Sequence, residues 1–214
     1  MRLHQLGELH IKKAIESFLC PICHKQLSRK ESFVPHSKRH DEARKYNPTD
    51  LVDQDCYATS FSTWKTLFDV LPWFTKGRQK CVYDPFYMNG SSKKIFKKIG
   101  VENVLHQNKN FFTTHRRQQY DVIITNPPFS ILMDVFAELY FIDKPFVTLV
   151  PSSTLYTCYF FRLFGASPHI QIVHLVGKPK FENNRKEISN AGYRGTVFIC
   201  FKCNLERDVT FVKE

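Results

Sequence analysis

The 214-residue sequence has no apolar run approaching the ~18 residues needed to cross a bilayer. Met1 to Leu19 mixes His, Glu and Lys with single apolar residues, so a signal-peptide core is also missing. Neither membrane insertion nor secretion is expected, and the chain reads as intracellular, in the nucleus or cytoplasm. Acids are scarce: 20 Asp and Glu face 31 Lys and Arg, a surplus of +11. That imbalance speaks of partners rather than fold, and nucleic acid is the commonest polyanion. No internal repeat or low-complexity segment is visible. The seven cysteines are an odd number; without a secretory signal they point to metal or free thiols, not a disulfide framework. What abounds is phenylalanine, at 20 positions, and those rings need a core or a stacking partner. With 43% apolar and 24% charged residues, the composition is that of a globular chain and excludes general disorder.

Two regions follow from composition. Residues 1–50 are rich in Cys and His, and residues 51–214 form the second unit. From Asp55 to Leu71, Phe61, Trp64, Leu67, Phe68 and Leu71 recur at helical spacing, with Ser60 or Ser62 as N-cap. After Lys80, strands and helices alternate. Cys81-Val82-Tyr83, Val101 to His106, Tyr120 to Thr125, Pro145 to Val150, Ile170 to Val176 and Thr196 to Phe201 read as strands. Ser91 to Ile99, a segment capped by Ser130, and Thr154 to Phe164 read as helices. The run at Tyr120 to Thr125 is of the kind buried on both faces. The expected fold is α/β, a mostly parallel sheet with helices on both faces. Ligands in such sheets bind beyond the carboxyl ends of the strands, and two of those ends carry unusual residues.

The first is Asn126-Pro127-Pro128-Phe129. Two prolines fix two φ angles and remove two N–H donors, leaving a rigid backbone that only accepts. Asn126 adds a side-chain carbonyl and Phe129 a flat apolar face. A planar molecule bearing an exocyclic amine suits that set. The segment resembles the catalytic motif of class I S-adenosylmethionine-dependent methyltransferases acting on planar nitrogens, and Phe in fourth place looks most like the N6-adenine enzymes. The resemblance implies a Rossmann-like fold over roughly residues 55–203. It also implies that Asn126 and the Pro127 carbonyl accept the two amine hydrogens, while Phe129 stacks on a base extruded from its helix. No strong general base is implied, because the amine proton becomes acidic once the methyl is attached.

The second end, Asp84-Pro85-Phe86-Tyr87-Met88-Asn89-Gly90, resembles the family's Asp-Pro-Phe-x-Gly-x-Gly cofactor loop, with Met88 in place of the first glycine and Gly90 as the second. It precedes Asn126 by about 36 residues, in the family's order. Upstream, Tyr57-Ala58-Thr59 resembles a Tyr-x-Thr-Pro segment that closes over the cofactor, with Ser60 in place of Pro. Asn110-Phe111 resembles the Asp-Phe element at the cofactor adenine. One departure is plain: His106-Gln107-Asn108 ends the second strand without the carboxylate that the family places on the cofactor ribose.

Cys20-x2-Cys23-x12-His36-x3-His40 matches Cys2His2 zinc spacing, with Leu27 and Phe33 as apolar spacers. Pro35 would loosen the expected helix, which favours a structural or substrate-positioning module over a base-reading finger. A rival scheme pairs Cys20 and Cys23 with Cys200 and Cys203. Residues three apart on a strand face opposite sides, which makes Cys200 and Cys203 core and rim. Lys93, Lys94, Lys97 and Lys98 form one basic helix face, and His115-Arg116-Arg117 and Lys178-Pro179-Lys180-Phe181 are similar; the polar loop Glu182 to Gly195 could fold over a substrate. The expected activity is methylation of adenine N6 in DNA or RNA, DNA slightly favoured, with a protein partner supplying target recognition. The alternatives are glutamine methylation of protein and an inactive methyltransferase-like subunit that grips nucleic acid.

Overall fold

A computed structural model describes residues 57–177, 181–183, 188–189 and 195–213. Seven strands form one sheet in the order β10-β6-β9-β5-β4-β2-β3. These are β2 (Val82–Tyr83), β3 (Val104–Leu105), β4 (Val122–Thr125), β5 (Phe146–Pro151), β6 (Ile170–Val176), β9 (Thr196–Phe201) and β10 (Val209–Lys213). All neighbours run parallel except β9, which is antiparallel to both β5 and β6. A second, antiparallel sheet joins β1 (Tyr57–Thr59), β7 (Phe181–Asn183) and β8 (Ile188–Ser189). The expected α/β class and mostly parallel sheet are therefore present.

Side-chain alternation along the strands builds one core on each face. Val82, Ile124 and Phe198 point to the side holding Trp64 and Phe68 of α1 (Phe61–Phe68) and Phe96 of α3 (Ser91–Ile99). On that side Trp73, from the short α2 (Pro72–Thr75), lies edge-on to Phe68. Tyr83, Ile123 and Ile199 point to the other side. There they meet Phe111 of α4 (Phe111–Thr114), Phe136 of α5 (Leu132–Ile142) and Phe160 and Phe164 of α6 (Cys158–Phe164). Each such ring contributes roughly 1.5–3 kcal/mol by leaving water. All of β4 is buried, as its unbroken apolar run requires. Among the described residues no helix is long and apolar enough to cross a membrane.

Several element boundaries differ from the sequence reading for local reasons. Ser60 does cap α1, accepting the Thr63 N–H at 3.2 Å. Val101 belongs to the end of α3 rather than to β3, because its N–H is taken by the Phe96 carbonyl at 2.9 Å. Ser130 does not cap α5. The Pro128 carbonyl accepts the Ile131 N–H at 3.4 Å, drawing Phe129–Ile131 into a 3-10 turn before the helix begins. Thr157 is extended and caps α6, splitting the expected Thr154 to Phe164 helix from a preceding 3-10 turn, Ser152–Tyr156. Strand β10 was not anticipated, and the polar loop beginning at Glu182 holds part of β7 and all of β8. Cys203 is not on a rim: both it and Cys200 are buried, because the chain turns inward after β9. A hydrogen bond with the Cys203 thiol, then burial, pushes the Cys200 thiol well above its ordinary range.

The loop from β2 to α3 sets the site's backbone. Met88 has φ 45° and Gly90 φ 75°, both left-handed. Residue 88 thus keeps a glycine-like backbone although it carries a side chain, at a strain of roughly 1–2 kcal/mol. Met88→Gly should relieve it, offset in part by glycine's greater loss of freedom on folding. The expected net gain is about 0.5–1 kcal/mol in denaturant unfolding. Unchanged or reduced stability would contradict the strain.

Candidate active site at the sheet switch point

Strand β2 lies between β3 and β4, so the chain runs outward to β3 and then returns to the opposite side of β2. Such a reversal opens a crevice at the carboxyl ends of the strands. Val82 and Tyr83 of β2 pair with Val122 and Ile123 of β4 and with Val104 and Leu105 of β3. That register brings Asp84, His106 and the Thr125-Asn126 pair together.

Asp84 is the knot of this junction. It is buried, and Thr125 Oγ1 donates to its Oδ1 at 2.6 Å. His106 Nδ1 lies 2.8 Å from the Asp84 carbonyl oxygen and 3.4 Å from the carboxylate. The Ser92 side chain and the Phe86 N–H also bond the carboxylate. Burial pushes the Asp84 carboxyl above the usual carboxylate range, while His106, Thr125, Ser92 and Phe86 pull it back.

Asn126 follows Thr125 directly. Its Nδ2 donates to the Tyr57 carbonyl at 3.4 Å. A carbonyl only accepts, so the amide nitrogen faces Tyr57 and Oδ1 is left as an acceptor. Oδ1 is buried and has no hydrogen-bond partner among the described residues. An unpaired buried acceptor costs roughly 1–3 kcal/mol. Pro127 and Pro128 are buried beside it, and Phe129 is half-buried against the second core.

The residues read as cofactor-binding gather unevenly. Tyr57 is half-buried, and Thr59 is buried with Oγ1 unpartnered among the described residues. Pro85 and Phe86 are buried, Phe86 lying 5.4 Å from Phe111 between ring centroids. Phe111 is wholly inside the core, so its ring supports the wall rather than lining it. Asn110 uses its Oδ1 to cap α4, accepting the Phe112 N–H at 2.9 Å. Gly90 must stay small, because a Cβ there would stand 2.7 Å from Tyr87 Oη. Left-handed backbone at residues 88 and 90, with unpaired acceptors at the ends of β1, β3 and β4, suits a polar small molecule laid across the strand ends. The sequence reading missed Thr125, Tyr87 and any positive role for His106; their positions next to the two motifs were the available signal. Cys20, Cys23, His36 and His40 lie outside the described residues, as do Lys178 to Lys180. On α3, Lys93, Lys94, Lys97 and Lys98 are exposed opposite buried Phe96. Comparison with models of known protein families and with curated proteins finds no match for this chain.

Because burial raises the Asp84 carboxyl, the folded protein holds that proton more tightly than the unfolded chain does. The stability this adds is full below about pH 4 and is lost as pH rises through the folded value. Asp84→Asn keeps an acceptor for Thr125 but cannot ionise. Its unfolding free energy should therefore decline less than the wild type's between about pH 4 and pH 7. Parallel pH profiles would remove Asp84 as the titrating group.

Proposed function

We propose that this chain is an S-adenosylmethionine-dependent methyltransferase of Rossmann-like fold, modifying the N6 amine of adenine in nucleic acid. The observation that carries the reading is the buried, unpartnered Asn126 Oδ1 at the switch-point crevice. It is an acceptor held ready next to a backbone that the prolines deprive of donors. An exocyclic amine brings two hydrogens, one for Asn126 Oδ1 and one for the Pro127 carbonyl. Accepting both turns the nitrogen lone pair out of conjugation and toward its electrophile. Phe129 stacks on the base, which must leave its duplex to enter the crevice. Pro128 holds the two acceptors and the ring in a fixed relation, so positioning supplies much of the rate.

S-adenosylmethionine, when bound, supplies a methyl carbon activated by its sulfonium. Tyr57, Thr59, Asp84 to Phe86, Gly90, Asn110 and Phe111 form or support the surface that would hold it. The +11 surplus and the exposed lysines of α3 support a polyanionic substrate. Cys20, Cys23, His36 and His40 would hold one zinc ion in a substrate-positioning module.

Removing one pre-organised hydrogen-bonding group from an active site typically costs about a hundredfold or more in turnover. Asn126→Ala should lower methyl transfer by at least that factor while calorimetry finds cofactor affinity within a few fold of wild type. A variant that still transfers methyl groups at the wild-type rate would reject this mechanism.

A further inference from the structure

His106 ends β3 on the far side of β2 from Asn126, and its side chain is 0% exposed. Its Nδ1 faces the Asp84 carbonyl oxygen at 2.8 Å. That oxygen can only accept, so Nδ1 carries the proton, and in the neutral ring Nε2 is left with a lone pair. Nε2 is buried and has no partner among the described residues. The imidazole is thus oriented from behind by backbone and presents an acceptor that nothing described in the chain satisfies. Native structures rarely keep such an atom without a use.

One side chain stands over it. The Tyr87 ring is stacked on His106, with centroids 5.0 Å apart and planes inclined by 25°. The same phenol reaches Gly90, where its Oη lies 2.7 Å from the position of a Cβ. Tyr87 therefore spans from the imidazole to the glycine across the mouth of the loop. A ligand that approaches the Gly90 backbone closely has to displace this ring, and the imidazole then lies at the edge of the crevice.

We propose that His106 Nε2 accepts a hydrogen bond from one hydroxyl of a ribose diol on the bound nucleoside, with Tyr87 turning aside to admit it. This rests on the functional reading above. It assigns to a neutral nitrogen the strand end where the sequence offers no carboxylate. The two chemistries differ in a measurable way. A carboxylate can accept from both hydroxyls of a diol at once, whereas one ring nitrogen has one lone pair and accepts from one.

The test is calorimetry on the full chain with S-adenosylhomocysteine and its 2′-deoxy and 3′-deoxy analogues. Wild type should lose about tenfold in affinity for one analogue, the order expected when a buried neutral hydrogen bond is lost. The other analogue should bind like the parent. His106→Asn keeps a donor placed for the Asp84 carbonyl and removes the acceptor. It should bind the parent about tenfold more weakly and no longer distinguish the sensitive analogue. If both analogues bind wild type as well as the parent does, or if His106→Asn discriminates as wild type does, the assignment of His106 is overturned while the methyltransferase reading stands. If the parent does not bind wild type at all, both fall. The analogue comparison needs no variant, so it decides the matter even if His106→Asn fails to fold.

Discussion

The buried carboxylate of Asp84 is the constraint on which the site depends. A carboxyl group taken out of water is costly unless donors surround it, and here they come from three directions. Thr125 reaches it from β4, Ser92 from α3 and the Phe86 N–H from the following loop, while His106 at the end of β3 bonds its carbonyl. One residue therefore joins the carboxyl ends of the three strands that bound the crevice. Both chemically distinctive segments are referenced to it: Asn126 is one residue beyond Thr125, and the Tyr87 to Gly90 loop begins immediately after Phe86. Displacing any partner of Asp84 would move acceptors whose usefulness depends on fixed positions.

The same economy runs through the acceptors. Asn126 is oriented by what its amide nitrogen gives to Tyr57, and His106 by what its Nδ1 gives to Asp84. In each case a backbone carbonyl fixes the donor end and leaves the acceptor end unsatisfied. The prolines after Asn126 extend the pattern, since they add carbonyls without N–H groups. A pocket of acceptors suits a ligand and substrate rich in amine and hydroxyl hydrogens, which is the chemistry of nucleosides.

Much of this was legible in the sequence where local signals agree. The unbroken apolar run Val122 to Thr125 did become a strand buried on both faces, and the lysines of α3 do lie opposite Phe96. The Asn-Pro-Pro-Phe segment could be placed at a strand end because prolines terminate a ladder. What remained hidden depends on distant pairing. Strand β10 is half exposed along its length and exists through its register with β6, and β1 exists through β7. Cys203 was misplaced because a strand period was extended past Phe201, where the chain has already turned at left-handed Lys202. His106 reads in sequence as a missing acid; only the Asp84 carbonyl behind it, and the absence of any described partner in front, give it a role of its own.

The account joins a geometry of fixed acceptors to a basic chain and derives from them one reaction. Its most direct test uses S-adenosylmethionine tritiated in the methyl group, incubated with the full chain and, separately, with DNA, RNA and a glutamine-containing peptide, followed by digestion and chromatography of the products. The account predicts tritium in N6-methyladenine from nucleic acid. Label in methylglutamine alone, or in no product at all, would contradict it.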